Sequence, residues 1–189
     1  MDSKLYRFFR PIIKFLVKVF IRPKFIGLEN IKDDTSLVLA GNHTSILDCF
    51  LLISATKRSV HFLAKDELWK GHKKILFANM GLIPVNRTAK SHKSLEMAEE
   101  YLNNNCIIGI FPEGTTEKGR GLLPFKIGAV KMAKDTNTKI IPFVIKGKYR
   151  LFSKNLKIVF GKEFVVKAKD LDKENKRLRN TVIRMLRED

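Results

Sequence analysis

The sequence predicts an α/β domain with a mixed, largely buried sheet and helices on both faces. Short apolar runs alternate along the chain with longer amphipathic segments, as expected for strands connected by helices. A length of 189 residues suits one domain with a sizeable core, and 44% hydrophobic residues exclude a disordered chain. Cys49 and Cys106 both lie inside apolar runs, which indicates core packing in a reduced, cytoplasmic protein.

Residues 1–24 are predicted to form an interfacial membrane-binding helix, which precedes a main domain of residues 25–189. Basic residues at steps of three and four share one helical face within roughly 120°. They are Lys4, Arg7, Arg10, Lys14, Lys18 and Arg22. Aromatic and aliphatic residues fill the wide remaining face, and Pro11 is expected to kink or divide the helix. The alternative is an amphipathic helix docked on the protein's own core.

The same segment does not have the pattern of a spanning helix or of a secretory signal. Its apolar runs fall short of the ~18 residues needed to cross a bilayer. An apolar stretch followed by a small-residue cleavage site is also missing. We therefore expect a peripheral, monotopic protein at the cytoplasmic face of the cell membrane.

Strands are predicted where short apolar runs are bounded by glycine, proline or polar residues. The predicted strands are 36–41, 59–64, 82–85, 106–112, 139–147 and 156–161. The clearest are SLVLAG, which ends in Gly41, and CIIGIFP, which is apolar almost throughout. Runs of this kind, without alternation of polar residues, are typical of strands buried on both faces.

Helices are predicted where apolar residues recur at helical spacing between those strands. The predicted helices are 45–56, 73–81, 91–105, 126–136 and 172–186. Helix 73–81 stops at Gly81, and helix 91–105 ends in consecutive asparagines. The last helix places Leu178, Val182 and Met185 on one side, which predicts that this side packs on the sheet.

Polar clusters follow three of the predicted strands, at residues 41–48, 86–88 and 112–121. Binding sites of open α/β sheets gather beyond the carboxyl ends of strands. The three clusters are therefore expected to meet at one edge of the sheet.

The first cluster contains His43 five residues before Asp48, and the same spacing recurs at His61 and Asp66. On a continuous helix, five residues place two side chains about 140° apart. The pair can meet only if the histidine precedes the helix. HTSILD permits this, with Thr44 or Ser45 as N-cap and Asp48 in the first turn.

His61 lies within a predicted strand, where Lys65 can pair with Asp66, so a structural role is expected for it. For His43 two interpretations are open from the residues alone. It is either a general base oriented by Asp48 or a solvated histidine beside an ordinary helix start.

A histidine–carboxylate pair can remove a proton from an alcohol, because the carboxylate fixes the imidazole tautomer and stabilises the imidazolium. A protein nucleophile is not evident, since there is no G-x-S-x-G elbow and neither cysteine has a basic neighbour in sequence. The attacking hydroxyl would then belong to a substrate, as in direct acyl transfer.

The other clusters offer groups suited to an anion. Arg87 has the planar fork that binds phosphate, and Lys126 lies at the start of a predicted helix. Glu113 and Gly114 follow a buried strand. Taken alone, each is also compatible with an ordinary surface residue or turn. The sequence contains no phosphate-binding P-loop, no dinucleotide fingerprint and no metal-ligand spacing.

The net charge of +18 calls for an anionic partner, which could be a membrane surface, a phosphorylated substrate or nucleic acid. The aromatic residues cluster in the N-terminal helix and in buried strands, and no RNA-binding signature is present. We therefore expect no nucleic-acid partner. A basic nucleic-acid-binding protein and a membrane-binding module without catalysis remain as alternatives from other classes.

Four blocks in order carry a resemblance to a known family. They are N-H-x4-D at Asn42, His43 and Asp48; G-x-I-x-x-x-R at Gly81, Ile83 and Arg87; F-P-E-G-T from Phe111 to Thr115; and an apolar strand with an internal proline, IIPFVI with Pro142. The chain resembles the glycerolipid acyltransferases over about residues 25–160.

The resemblance implies acyl transfer from an acyl thioester, acyl-CoA or acyl-ACP, to the sn-2 hydroxyl of lysophosphatidic acid. No covalent intermediate, metal or further cofactor is implied. Glycerol-3-phosphate or another lysophospholipid is the alternative acceptor. By this resemblance His43 is the general base, Asp48 is its partner and Arg87 holds the acceptor phosphate. The implied substrate-binding residues are Asn42, Arg87, Glu113, Gly114, Thr115 and Lys126.

The chain departs from the family pattern after the third block. Thr116 and Glu117 follow E-G-T, where the family often has arginine or serine. A positive group beside the phosphate is then either missing or supplied by Lys118, Arg120 or Lys126. This departure leaves the acceptor headgroup open.

Overall fold

The computed structural model describes residues 4–65, 82–85, 93–116 and 121–188. The helices are α1 (Lys4–Leu16), α2 (Asp48–Ala55), α3 (Lys93–Asn103), α4 (Gly128–Asp135) and α5 (Leu171–Arg187). The strands are β1 (Lys24–Ile26), β2 (Leu37–Gly41), β3 (Val60–Lys65), β4 (Leu82–Val85), β5 (Ile107–Ile110), β6 (Lys139–Lys146) and β7 (Lys157–Phe160).

The strands form one sheet in the order β1-β7-β6-β2-β5-β3-β4. β6 and β7 pair antiparallel, and the other neighbours pair parallel. β2 lies between β5 and β6, with Leu37 opposite both Ile107 and Lys139. Since β2, β5 and β6 run in the same direction, their carboxyl ends meet at one edge.

Helices cover both faces of this sheet, and alternate residues of β2 point into two separate cores. Leu37 and Leu39 belong to a core shared with α1 and α2. Val38 and Ala40 belong to a second core shared with α3, α4 and α5. Burial on both faces explains why β2 and β6 are apolar at consecutive positions. The predicted fold class is confirmed.

The predicted strands agree with the structure to within two residues at each end. The helix predicted at 45–56 begins only at Asp48, because residues 46 and 47 form a turn. β1 was not predicted, since Lys24–Ile26 is three residues long and begins with an exposed lysine. The helix predicted at 73–81 lies outside the described residues.

The N-terminal segment continues as a helix through Pro11, which therefore does not divide α1 as one prediction had it. A π-helical turn, Val17–Ile21, follows and ends at Arg22 in the left-handed conformation, with φ 53°. Tyr6 and Val17 are buried in the same core as α2. The division into residues 1–24 and 25–189 stays a prediction.

In the described part of the chain, every helix is too short or too polar to cross a membrane.

Candidate active site

His43 and Asp48 meet at the carboxyl end of β2. The Nδ1 atom of His43 lies 2.9 Å from Oδ2 of Asp48. The Asp48 side chain has no exposed surface, whereas that of His43 keeps 17%. The geometry that the sequence required, a histidine placed before the helix and folded back over its first turn, is present.

The start of α2 differs in one respect from the prediction. Neither Thr44 nor Ser45 is the N-cap residue, because that position belongs to Leu47, whose side chain makes no capping bond. The carboxylate of Asp48 folds back instead. Its Oδ2 accepts from the backbone N–H groups of Thr44 at 2.6 Å and Ser45 at 2.9 Å, and its Oδ1 accepts from the Thr44 hydroxyl at 3.1 Å.

These bonds keep Asp48 ionised although it is buried. Burial alone would raise the pKa of Asp48, but hydrogen bonds from His43, Tyr149 and the amides of Ser45 and Thr44 together hold it below its ordinary value. The position of Asp48 in the first turn of α2 also places its charge at the positive end of the helix dipole. The pair therefore has a fixed negative charge behind the imidazole.

A carboxylate can only accept hydrogen bonds, so the proton in the His43–Asp48 bond belongs to Nδ1. The lone pair of the neutral ring then lies on Nε2. The ring stacks on Phe111, with centroids 3.9 Å apart and an interplanar angle of 14°. A fixed tautomer on a fixed ring is suited to taking a proton from a hydroxyl group.

Glu113 joins the loop after β2 to the loop after β5. Its Oε1 accepts from the backbone N–H of His43 at 2.9 Å, and its Oε2 accepts from that of Leu123 at 3.0 Å. The carboxylate thus positions the histidine backbone. The implied contact between Glu113 and substrate stays a prediction.

Asn42 holds the end of β2 against β6. Its side-chain NH2 donates to the carbonyl of Ile145 at 3.0 Å, and its Oδ1 accepts from the Ile145 N–H at 2.7 Å. These two bonds continue the strand pairing for one residue beyond Gly41 and fix where the chain turns into His43. Substrate binding by the buried Asn42 also stays a prediction.

Gly114 and Lys126 lie together. Gly114 has φ 71°, and a Cβ atom added to it would lie 3.0 Å from Nζ of Lys126. The backbone N–H of Lys126 also donates to the carbonyl of Pro112 at 2.9 Å. A glycine is needed here for its left-handed conformation and to leave room for the lysine. Thr115 follows and is half-buried.

The structure therefore groups His43, Asp48, Asn42, Glu113, Gly114 and Lys126 around the ends of β2, β5 and β6. Arg87, Lys118 and Arg120 lie outside the described residues. Within the described ranges, no group of three or more His, Cys, Asp or Glu residues is arranged to hold a metal ion.

Tyr149 is a site residue that the sequence analysis missed. Its hydroxyl donates to Oδ1 of Asp48 at 2.5 Å. Burial, followed by the charge and the hydrogen bond of Asp48, raises the pKa of Tyr149, so the hydroxyl stays neutral and able to donate. The stretch KGKYR contains no motif that would have marked it. The one sequence feature that could have indicated it is its position shortly after β6, a strand whose carboxyl end lies at the site.

His61 lies in the core, where a structural residue was expected. It is buried in β3 at 2% exposure, and its ring lies 4.3 Å from that of Tyr101. Cys49 is also a packing residue, since burial, followed by the neighbouring Asp48 charge, raises its thiol pKa to about 12. A thiol that stays protonated is a poor nucleophile.

Comparison with known proteins places these residues in a family context. The family model described as Acyltransferase matches residues 22–146. Relatives named 1-acyl-sn-glycerol-3-phosphate acyltransferase include that of Borreliella burgdorferi, 34% identical over 69% of this chain and 53% of the relative. The Haemophilus influenzae protein of that name is 31% identical over 66% of this chain and 53% of its own. The match thus spans about half the length of these relatives.

A solved structure has the same fold. The crystal structure of the 1-acyl-sn-glycerophosphate acyltransferase from Thermotoga maritima matches with a TM-score of 0.73 and 23% identity, covering 95% of this chain and 79% of that one. The family match runs from just before β1 to the end of β6, so it includes every residue of the site except Tyr149. The chain belongs to the acyltransferase family.

Proposed function

We propose that the protein transfers an acyl group from an acyl thioester to the sn-2 hydroxyl of lysophosphatidic acid, giving phosphatidic acid. The single observation that carries the chemistry is the His43–Asp48 bond of 2.9 Å, which leaves the Nε2 lone pair for a substrate hydroxyl. The names of the relatives support the choice of acceptor.

The proposed step is direct. Nε2 of His43 takes the proton of the acceptor hydroxyl while its oxygen attacks the thioester carbonyl carbon. Asp48 stabilises the imidazolium that forms. The tetrahedral intermediate then expels the thiolate, which receives the proton from the imidazolium and leaves as a free thiol. The new C–O bond replaces the C–S bond, and the enzyme is never acylated.

Lys126 supports a phosphate-bearing acceptor. Its ammonium lies beside Gly114, directly after the Glu113 that anchors His43. A cation in this position suits the phosphate of lysophosphatidic acid and equally that of glycerol-3-phosphate, which is the alternative acceptor. Arg87 remains the second proposed phosphate contact, from the family resemblance.

The structure also supports the proposal that α1 lies in an anionic membrane surface. Arg10 and Lys14 turn towards the protein and donate to the carbonyl of Thr56 at 2.5 and 2.7 Å. The opposite side of the helix exposes large apolar side chains. These are Phe8, Ile12, Phe15 and Leu16 of α1 and Phe20 of the π-helical turn that follows, exposed by 38–64%. A helix held this way presents apolar groups to lipid.

The apolar surface extends beyond α1. The Phe20 ring lies 5.6 Å from that of Phe152. Phe152 is 56% exposed, and the neighbouring Leu151 is 71% exposed. A cavity of about 870 Å³ opens beside the helix, and its basic residues are Lys14, Lys18, Arg22, Lys24 and Lys154. Cations next to an exposed apolar surface fit the headgroup level of an anionic leaflet. We propose a peripheral location at the cytoplasmic face of the membrane.

The decisive experiment compares His43→Ala with His61→Gln. Purified protein is incubated with a labelled acyl-CoA or acyl-ACP and a panel of lysophospholipids and glycerol-3-phosphate, and products are identified by mass. Loss of a general base should lower the rate by about 10²–10⁴-fold in His43→Ala. His61→Gln, checked for folding by circular dichroism, should retain most activity. Equal losses in both variants would refute the assignment of His43.

A further inference from the structure

We propose that Tyr149 is a positioning residue that acts on His43 through Asp48. Its hydroxyl donates to Oδ1 of Asp48, on the side of the carboxylate away from the histidine. The consequence for catalysis rests on the proposed function, but the effect on the histidine does not. Tyr149 lies outside the matched family region, which ends at residue 146.

The chain after β6 is built to bring Tyr149 back over the site. Gly147 has φ 93°, and a Cβ atom there would lie 2.1 Å from the carbonyl oxygen of Asn155. Only glycine tolerates both the left-handed conformation and this close approach. The turn sends the Tyr149 ring against the core that α2 shares with the sheet. Ring and hydroxyl are thus placed by separate contacts.

The five residues from Ile145 to Tyr149 hold the catalytic segment at two points. Ile145 binds the Asn42 side chain through both its backbone groups, immediately before His43. Tyr149 binds Asp48, five residues after His43. The histidine is therefore fixed from both sides by the same short stretch of chain.

The two oxygens of Asp48 are held unequally without this tyrosine. Oδ2 accepts from His43 and from two backbone amides, whose positions the fold sets. Oδ1 accepts from Tyr149 at 2.5 Å and from the hydroxyl of Thr44 at 3.1 Å. The Thr44 bond is longer and its hydroxyl turns with its own rotamer, so Tyr149 is the better-fixed donor to Oδ1. With Oδ2 held by the backbone, the Tyr149 bond completes the restraint on rotation of the carboxylate about its Cβ–Cγ bond. That rotation would weaken the bond to Nδ1 and release the imidazole tautomer.

Tyr149→Phe removes only the hydroxyl and keeps the packed ring. Tyr101→Phe is the matched control, because Tyr101 lies on α3 with its ring against His61, away from Asp48. We expect Tyr149→Phe to lower kcat about ten-fold, as for a lost hydrogen bond to a charged group, with KM for donor and acceptor changed less than about two-fold. Tyr101→Phe should leave both constants near wild type.

Imidazole ¹⁵N shifts provide a readout that does not depend on turnover. The His43 signals are assigned with His43→Ala. We expect the Nδ1–H tautomer to dominate in wild type and in Tyr101→Phe, and its population to fall in Tyr149→Phe. Wild-type kcat together with an unchanged tautomer in Tyr149→Phe would overturn the proposal. If wild type acylates none of the acceptors, the proposed function fails, and the tautomer comparison alone decides the role of Tyr149.

A double-mutant cycle separates positioning from direct contact with substrate. If Tyr149 acts through Asp48, the Tyr149→Phe change should alter kcat less than about two-fold in an Asp48→Ala background. A further ten-fold loss in that background would mean that the hydroxyl touches the reactants, and would refute the role proposed for it.

Discussion

At the scale of single residues, Asp48 determines the chemistry of the site because it is both buried and ionised. Its two oxygens accept from the His43 ring, two backbone amides, and the hydroxyls of Thr44 and Tyr149. A carboxylate so fully bonded is a weak base, so in the proposed reaction it would orient the histidine rather than compete with it for the proton.

The bonded carboxylate should make stability depend on pH. The folded-state pKa of Asp48 lies below the ordinary value of 3.8. In acid, the unfolded chain therefore takes up the proton first, and the stabilisation is lost as pH falls from about 4 through the folded pKa. We expect the free energy of unfolding of wild type to fall more steeply below about pH 4 than that of Asp48→Asn. Urea denaturation across the acid range measures this, and parallel curves would contradict it.

The His43–Asp48 contact was one of two interpretations open from the residues, and its geometry could be worked out because both partners are local, within one loop and one helical turn. Tyr149 could not, because it lies 101 residues from Asp48 and reaches it through the sheet order and a glycine turn. The same limit applies to Asn42 and Glu113. Their positions were marked by the motif, but their backbone partners, Ile145 and Leu123, depend on the tertiary fold.

At the scale of elements, apolar runs located most strands well because burial on both faces removes polar residues from them. β1 was not predicted, because an edge strand of three residues is too short to show a pattern of apolar residues. The start of α2 was placed too early because serine and threonine are strong capping residues. In the structure the carboxylate of Asp48 instead accepts from the backbone N–H groups of Thr44 and Ser45, and the helix begins at Asp48.

β2 should be sensitive at Gly41, where it passes β6 just before the site. A methyl group there would lie 2.2 Å from the backbone oxygen of Phe143, which cannot move without disturbing β6. We expect Gly41→Ala to cost at least about 2 kcal/mol of unfolding free energy. Gly128→Ala is the control, because its methyl group would meet only Ile110 at 3.8 Å. It should change stability by less than about 1 kcal/mol, and equal effects in chemical denaturation would contradict the account.

At the scale of the whole molecule, the charge of +18 and the exposed apolar face of α1 should contribute separately to the proposed membrane binding. Salt screens the attraction between cations and anionic lipid but leaves apolar insertion largely intact. The two contributions can therefore be distinguished in vesicle sedimentation at increasing ionic strength.

We expect Phe15→Ser, at a position 62% exposed, to weaken binding to anionic vesicles about ten-fold at every salt concentration without changing the salt dependence. Val165→Ser is the control, since Val165 is 43% exposed but follows Phe164, which packs in the second core, on the face of the sheet opposite to α1. Equal binding by both variants would contradict the role of α1. Salt-sensitive binding to DNA that exceeds binding to vesicles would favour a nucleic-acid partner instead.

The position of β2 in the sheet also has a consequence for biosynthesis. β2 leaves the ribosome well before both of its partners, β5 and β6. Until then an entirely apolar strand with two unpaired edges must be kept from aggregating. The amphipathic α1 emerges before all of these strands. If α1 binds lipid as proposed, a nascent chain can meet the membrane surface while its sheet is still incomplete, and Asp48 gains its full set of hydrogen bonds only when Tyr149 has been added.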